Sequence, residues 1–148
     1  MKYVHTNIIA RDWKKLSKFY QDVFQCVPIP PERDLRGEWV DALTGIKNAH
    51  IQGEHLLLPG HGEKGPTLEI FSYNDLSENE KCINTPGFAH IAFLTDNVET
   101  ALEAVKKNGG TTIGEIVIKK YPNSATGTFV YCRDIEGNII ELQKWDTF

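Results

Sequence analysis

The two halves of this 148-residue chain present the same order of secondary-structure signals. In the first half, a strand pattern over 3–10 is followed by a helix that begins after Asp12 and has apolar residues at helical spacing. Further strands are predicted at 26–29, 54–58 and 67–73. The first half is therefore predicted to fold as β-α-β-β-β.

The second half repeats this order. A strand at 88–95 precedes a helix for which Asp96 and Glu99 form a predicted capping box, and two glycines are expected to end that helix. Three more strands are predicted at 112–118, 127–133 and 138–144, and the last two are joined by a turn at 134–137. The second half is again predicted as β-α-β-β-β.

Two segments depart from this regular order. Residues 74–86 are polar without apolar periodicity, which predicts a linker between the halves. Three prolines between positions 28 and 31 are expected to end the second strand, so irregular structure is predicted over 30–53. The duplication predicts a single α+β domain of two modules, about 1–73 and 87–148, related by a pseudo-twofold axis.

Composition excludes several classes of partner. The net charge of −4 gives no basic surface for nucleic acid, and no stretch approaches the roughly 20 apolar residues that a membrane span requires. Cys26, Cys82 and Cys132 are an odd number without zinc-type spacing. They are predicted to be buried free thiols, and a reducing, cytoplasmic location is expected.

Two histidines and two glutamates occupy equivalent positions in the two halves. His5 and His90 lie in the first strand of each half, and Glu69 and Glu141 lie in the last. Each glutamate stands between two aliphatic residues, where an unpaired carboxylate would be costly. A single residue of this kind is more typical of a surface or core side chain, but the set of four predicts one site for a divalent ion such as Ni, Co, Zn, Mn or Fe.

The segments around these residues resemble the vicinal oxygen chelate superfamily, which includes glyoxalase I, methylmalonyl-CoA epimerase, extradiol dioxygenases and fosfomycin-resistance thiol transferases. The segments that carry the resemblance are HTNIIA at 5–10, LEIF at 68–71, GFAHIAF at 87–93 and DIEGNIIEL at 134–142. The resemblance covers essentially the whole chain and implies two tandem βαβββ modules that form a cupped mixed sheet around a metal site. It implies His5, Glu69, His90 and Glu141 as the metal ligands.

The ligand order His, Glu, His, Glu is similar to that of glyoxalase I. It implies a metal-dependent isomerase or lyase that acts on a small α-oxygenated or thiol-adduct substrate. Four protein ligands would leave two positions for substrate oxygens, and the ion would stabilise the enediolate formed when a proton leaves the neighbouring carbon. Glu141 and Glu69 are the candidates for moving that proton, and Glu141 is favoured.

Three other functions stay open at this point. A methylmalonyl-CoA-type epimerase would use the same proton abstraction, although such enzymes typically have glutamine where Glu69 stands. An Fe(II) extradiol dioxygenase or a thiol transferase usually has three protein ligands. A metal-free small-molecule binding protein of this fold usually lacks the ligands. A homodimer is expected, because related folds commonly pair.

Substrate contacts are predicted from charged and aromatic residues in the irregular regions, where a cation would meet a carboxylate or phosphate and an aromatic ring would wall a pocket. These residues are Arg33, Arg36, Trp39, Lys120 and Tyr121. Three further histidines, His50, His55 and His61, lie in the same variable stretch of the first half; a second metal site there is the less favoured interpretation of them.

Overall fold

The computed structural model describes residues 2–78, 81–122 and 125–146. The chain forms two compact units, 1–78 and 79–148, and each contains a four-stranded mixed sheet with helices. The predicted α+β class and the duplication of elements are confirmed. No helix within the described ranges is long and apolar enough to cross a membrane. Positions 79 and 80 of the predicted linker lie outside the described residues.

The first unit has the strand order β1-β4-β3-β2. β1 and β4 are parallel, whereas the β4–β3 and β3–β2 pairs are antiparallel. The strands are β1 (His5–Ile9), β2 (Val27–Arg36), β3 (His50–Leu57) and β4 (Thr67–Tyr73), and the helices are α1 (Trp13–Phe24) and α2 (Glu38–Thr44).

Helix α1 covers one face of this sheet. Asp12 caps the helix, because its carboxylate accepts a hydrogen bond from the backbone N–H of Lys15 at 3.1 Å. Leu16 and Tyr20 on its apolar face are fully buried, and α1 packs against β3 and β4. The residues of β4 that point toward α1 are the buried ones, so the alternate residues, including Glu69, face away from the helix.

The prediction of irregular structure over 30–53 is wrong. β2 continues through the three prolines to Arg36, because it is the edge strand and its register with β3 shifts between Ile29 and Arg33. At such a position a missing proline N–H costs little. Helix α2 follows, held by the Asp41 carboxylate, which accepts hydrogen bonds from the N–H groups of residues 48 and 49 at 2.8 and 3.0 Å.

The second unit has the same topology, with strand order β5-β8-β7-β6 and a parallel β5–β8 pair. Its strands are β5 (His90–Leu94), β6 (Thr111–Lys120), β7 (Thr126–Arg133) and β8 (Ile139–Asp146). Its helix is α3 (Val98–Lys107), which buries Val98, Leu102 and Val105 against this sheet.

The predicted cap of α3 is one residue too early. Asn97, and not Asp96, caps the helix, since its side-chain oxygen accepts a hydrogen bond from the N–H of Thr100 at 2.6 Å. The helix begins at Val98, so Asn97 is the residue just before it, three positions ahead of the Thr100 N–H that a capping side chain must reach. The predicted turn at 134–137 is confirmed, and the Asp134 carboxylate is buried against its backbone.

The three cysteines differ in exposure. Cys26 and Cys132 are buried free thiols as predicted, and burial raises the pKa of each to about 12. Cys82 is exposed, so the prediction for that residue is wrong. Cys82 lies in the polar segment between β4 and β5, outside the buried faces of the strands and helices.

Candidate functional site

The predicted His–Glu pairs lie on equivalent strands at the same register in both units. In the β1–β4 pair, Glu69 is opposite the residue two positions after His5. In the β5–β8 pair, Glu141 is opposite the residue two positions after His90. Because residues two apart on a strand share a face, each histidine and its glutamate point to the same side of their sheet.

The distances within the two pairs are similar. His5 Nε2 lies 3.4 Å from Glu69 Oε2, and His90 Nε2 lies 3.1 Å from Glu141 Oε2. Two ligand atoms that are each about 2.1 Å from one ion, at angles between tetrahedral and octahedral, lie roughly 3.0–3.4 Å apart. The donor atoms of each pair therefore fit two sites on one divalent ion.

Both carboxylates are largely buried, with side-chain exposures of 12% for Glu69 and 18% for Glu141. The residues on either side of each glutamate point to the opposite, helix-covered face of the sheet. These neighbours are Leu68, Ile70, Ile140 and Leu142, and all four are buried. A carboxylate in such a place needs a cation or a hydrogen-bond donor as partner.

His55 is a neighbour of Glu69 that sequence reasoning did not identify. It is directly opposite Glu69 in the β3–β4 pair, and its Nε2 lies 3.3 Å from Glu69 Oε1. Burial lowers the pKa of His55, and the positive charge of Arg33 lowers it further. The negative charge of Glu69 raises it and so offsets part of this shift. The strands predicted at 54–58 and 67–73 are neighbours in the sheet, but it is their register, centred on Gly62, that brings residues 55 and 69 together, and the sequence did not fix that register.

Tyr131 takes the place of His55 in the second unit. It is directly opposite Glu141 in the β7–β8 pair. Its ring lies 5.2 Å from that of His90 in an edge-on arrangement. At this cross-strand position the second unit has the Tyr131 ring packed against His90. The first unit instead has the Nε2 nitrogen of His55 beside the Glu69 carboxylate.

The predicted cationic residues fall on different faces. Arg33 is opposite Gly53, which is opposite Phe71, so Arg33 shares the sheet face of Glu69. Arg36 lies 3.3 Å from Asp34 in an exposed ion pair. Lys120 is opposite Thr126 and shares the face that lies away from Glu141, whereas its neighbour at 119 is on the same face as Glu141.

The predicted aromatic contacts also differ. Trp39 is the second residue of α2 and is 56% exposed. Tyr121 follows β6, and its ring centroid lies 5.4 Å from that of Trp145, which is on the sheet face of Glu141. Phe129 packs edge-on against Trp145 at 5.1 Å. Gly127 makes room for this group, because a Cβ there would come within 2.2 Å of the Phe129 ring.

Within 2–78, 81–122 and 125–146, no three or more His, Cys, Asp or Glu side chains are arranged to hold a metal ion. Each unit presents its own His–Glu pair with suitable donor chemistry and spacing. The four-ligand site of His5, Glu69, His90 and Glu141 therefore remains a prediction.

Each unit has the β-α-β-β-β topology and carries a His–Glu pair on its two parallel strands. This is the two-module fold that the sequence predicted. The family model of the glyoxalase/bleomycin resistance protein/dioxygenase superfamily matches residues 2–142. The chain belongs to this superfamily. The search of curated proteins found no match to the chain.

Solved structures with the same fold come from several bacteria. A glyoxalase family protein from Bacillus cereus has a TM-score of 0.76 at 18% identity, with 99% of this chain and 94% of that chain covered. A glyoxalase/bleomycin resistance protein/dioxygenase domain from Frankia has a TM-score of 0.60 at 15% identity, with 99% and 98% covered. A mutant of the fosfomycin resistance protein FosX from Listeria monocytogenes, complexed with Mn(II) and dihydroxypropylphosphonic acid, has a TM-score of 0.58 at 18% identity, with 95% and 90% covered.

Proposed function

We propose that this chain is a divalent-metal-dependent isomerase or lyase of the glyoxalase I type. It moves a proton between neighbouring carbons of a small α-oxygenated or thiol-adduct substrate. His5, Glu69, His90 and Glu141 bind one ion of Ni, Co, Zn, Mn or Fe. The superfamily includes many enzymes, and the predicted ligand order His, Glu, His, Glu is the reason for favouring this reaction over the others.

The observation that supports the proposal is that the two His–Glu pairs have the same positions in their strands and similar nitrogen–oxygen distances. Each pair comes from the first and last strands of its unit, at the same register, with nitrogen and oxygen 3.1–3.4 Å apart. Two halves of one ligand set would be expected to repeat in this way. A bound divalent ion supplies Lewis-acid polarisation of the substrate oxygens.

The two histidines would coordinate the ion as neutral imidazoles through the lone pair of Nε2. In each unit, Nε2 is the ring nitrogen that lies beside the carboxylate. Glu141 is the base in this proposal: it takes the proton from the carbon next to the carbonyl and returns it to the neighbouring carbon. Glu69 is the second candidate for that role. Its two oxygens contact two imidazoles, whereas Glu141 contacts one within the described part of the chain.

The substrate is held by the sheet faces that carry the glutamates. Arg33 shares the face of Glu69, where its guanidinium can pair with a carboxylate or phosphate of the substrate. Tyr121 belongs to the aromatic group on the face of Glu141 and can contact an apolar part of the substrate. Arg36 and Lys120 lie on the sheet faces away from the glutamates and Trp39 lies on α2, so these three are not among the proposed contacts.

The experiment is metal loading combined with a proton-exchange assay. Protein freed of metal is titrated with Ni²⁺ or Co²⁺, and bound metal is measured by elemental mass spectrometry for the wild type, Glu141→Ala, His90→Ala and a His61→Ala control. We expect about one ion per chain in the wild type and the control, and loss of that ion in the other two.

The loaded enzyme is then assayed with a hemithioacetal in deuterated water. Isomerisation of the hemithioacetal supports the glyoxalase I type, whereas exchange at the α carbon of an acyl-CoA supports the epimerase. Oxygen consumption with a catechol supports the dioxygenase. If the wild type binds no metal, the enzyme proposal is wrong and a small-molecule binding protein is the better interpretation.

A further inference from the structure

The residue opposite the glutamate is what distinguishes the two otherwise equivalent sites. His55 is opposite Glu69 across β3 and β4, and Tyr131 is opposite Glu141 across β7 and β8. Opposite residues of antiparallel strands have their Cβ atoms about 4.5–5.5 Å apart, close enough for side chains to interact. Each of these side chains therefore acts on a proposed ligand of its own unit.

The two imidazoles of the first unit contact different oxygens of one carboxylate. His5 Nε2 is 3.4 Å from Oε2 of Glu69, and His55 Nε2 is 3.3 Å from Oε1. The 3.3 Å between His55 Nε2 and Oε1 is an ion-pair distance, and a small rotation of the imidazole or of the carboxylate would align the Nε2–H with Oε1. One oxygen is thereby assigned to His55, and the other stays beside the proposed metal ligand His5.

His55 is itself held in place by its surroundings. Its side chain is 23% exposed, and its ring packs edge-on against Phe71 with centroids 5.7 Å apart. It lies on the central strand β3, with Ile29 opposite it on β2. A ring restricted in this way can fix the orientation of the carboxylate beside it.

Resting on the proposed metal-binding function, we propose that His55 is a positioning residue for Glu69. Its Nε2–H donates to Oε1 of Glu69 and so directs Oε2 toward the ion that His5 binds. Hydrogen bonds of this kind to a ligating group orient it and tune its strength as a donor. Direct ligation by His55 is the competing interpretation, which the titration below distinguishes; His55 Nε2 faces Oε1 of Glu69, whereas His5 Nε2 faces Oε2.

This role makes the two glutamates unequal. Glu69, held from one side by His55, is suited to a stationary ligand. Glu141 faces a phenol ring that packs on His90, so its carboxylate keeps more freedom to rotate and to take a proton. The pseudo-symmetric pair is thereby divided into a fixed ligand and a mobile one.

Cobalt titration of the full-length protein tests this role. Metal-free wild type, His55→Phe, His55→Ala, His55→Gln and Glu69→Gln are titrated with Co²⁺, and the visible absorption of bound Co²⁺ is recorded. Phenylalanine keeps a ring against Phe71 without the donor, alanine avoids any crowding, and glutamine keeps an N–H. His61→Gln, in an exposed loop of the same unit, is the matched control.

We expect the Kd for Co²⁺ to rise about 10- to 100-fold in both His55→Phe and His55→Ala, with one ion per chain still bound at saturation. His55→Gln is expected to recover most of the affinity, because rescue by an N–H donor follows from positioning and not from simple packing. Thermal unfolding of the metal-free forms checks that each variant is folded.

Three results would overturn the proposal. An unchanged Kd in His55→Phe and His55→Ala, with normal binding by the wild type, removes the positioning role and leaves the proposed function intact. A loss of affinity in all three His55 variants at least as large as in Glu69→Gln, with no rescue by glutamine, identifies His55 as a direct ligand. Absence of Co²⁺ binding by the wild type overturns the proposed function and, with it, the role of His55.

Discussion

The two units have the same strand order and the same His–Glu register, but they surround their glutamates differently. In the first unit, α2 packs Val40 against the sheet face of Glu69, where Ile51, Phe71 and Tyr73 form a small apolar cluster. In the second unit, only positions 121–125 separate the corresponding strands, and Tyr121, Phe129 and Trp145 form an aromatic group on the face of Glu141.

This difference indicates which structural features the two duplicated units share and which have diverged between them. The parallel strand pair that carries the histidine and the glutamate is retained, because its register sets the distance between the two donors. The connections and the cross-strand neighbours lie outside that constraint. His55 and Tyr131 could therefore diverge, and with them the proposed roles of the two glutamates.

Thiol labelling compares one hidden cysteine in each unit with an exposed one. At pH 8 we expect Cys82 to react with iodoacetamide, and Cys26 and Cys132 to react more than about 10³-fold more slowly. The reason is that a pKa of about 12 leaves far less thiolate than the usual value near 8.5. Peptide mass spectrometry measures each site, and labelling in 8 M urea is the control. Fast labelling of Cys26 alone would mean that the first unit opens more readily than the second.

Substitution of the two glutamates is expected to affect different quantities, kcat per bound ion for Glu141 and metal affinity for Glu69. Glu141→Gln should lower kcat per bound ion by at least about 10²-fold, because glutamine cannot take a proton. Glu69→Gln should mainly weaken metal binding and reduce kcat per bound ion much less. Steady-state kinetics with the metal content of each sample measured in parallel separates the two effects. Equal losses of kcat per bound ion in both variants would contradict the division of roles.

The apolar residues preceding the two glutamates provide a matched test of the cores. Leu68 and Ile140 occupy equivalent positions and are fully buried or nearly so. Leu68→Ala and Ile140→Ala should each lower the free energy of unfolding by about 2–5 kcal/mol. Urea unfolding followed by circular dichroism measures the loss. A loss below about 1 kcal/mol for one of them would show that its unit repacks around the cavity.

The helix caps give the smallest expected effect. Asp12→Ala and Asn97→Ala should each cost about 1 kcal/mol at pH 7. Only the first cap depends on pH: hydrogen bonding from the Lys15 N–H lowers the pKa of Asp12, so its contribution is present above about pH 4 and is lost as the pH falls through its folded pKa. Stability measured from pH 7 to pH 2 should show this loss in the wild type and not in Asp12→Asn. An unchanged pH profile in Asp12→Asn would mean that another carboxylate is responsible.

The regular elements and the turn at 134–137 could be predicted because their signals are local. Helical spacing after residue 12, alternation at 67–73 and the Asp–Gly turn each depend on residues within one element. The positions of the His–Glu pairs relative to the strands were predicted for the same reason. The structure shows that each pair lies close together, and it leaves their union in one metal site as a proposal.

Other features depended on contacts between elements that are distant in sequence. β2 continues through its prolines because it is an edge strand, and α2 forms because Val40 is buried against β3. The sequence by itself determined the duplicated order of elements and the equivalent donors, because periodicity and spacing are properties of the chain. Only the tertiary structure decided that His55 lies beside Glu69 and that Arg33, but not Arg36, shares the face of Glu69, because cross-strand pairing fixes which side chains meet.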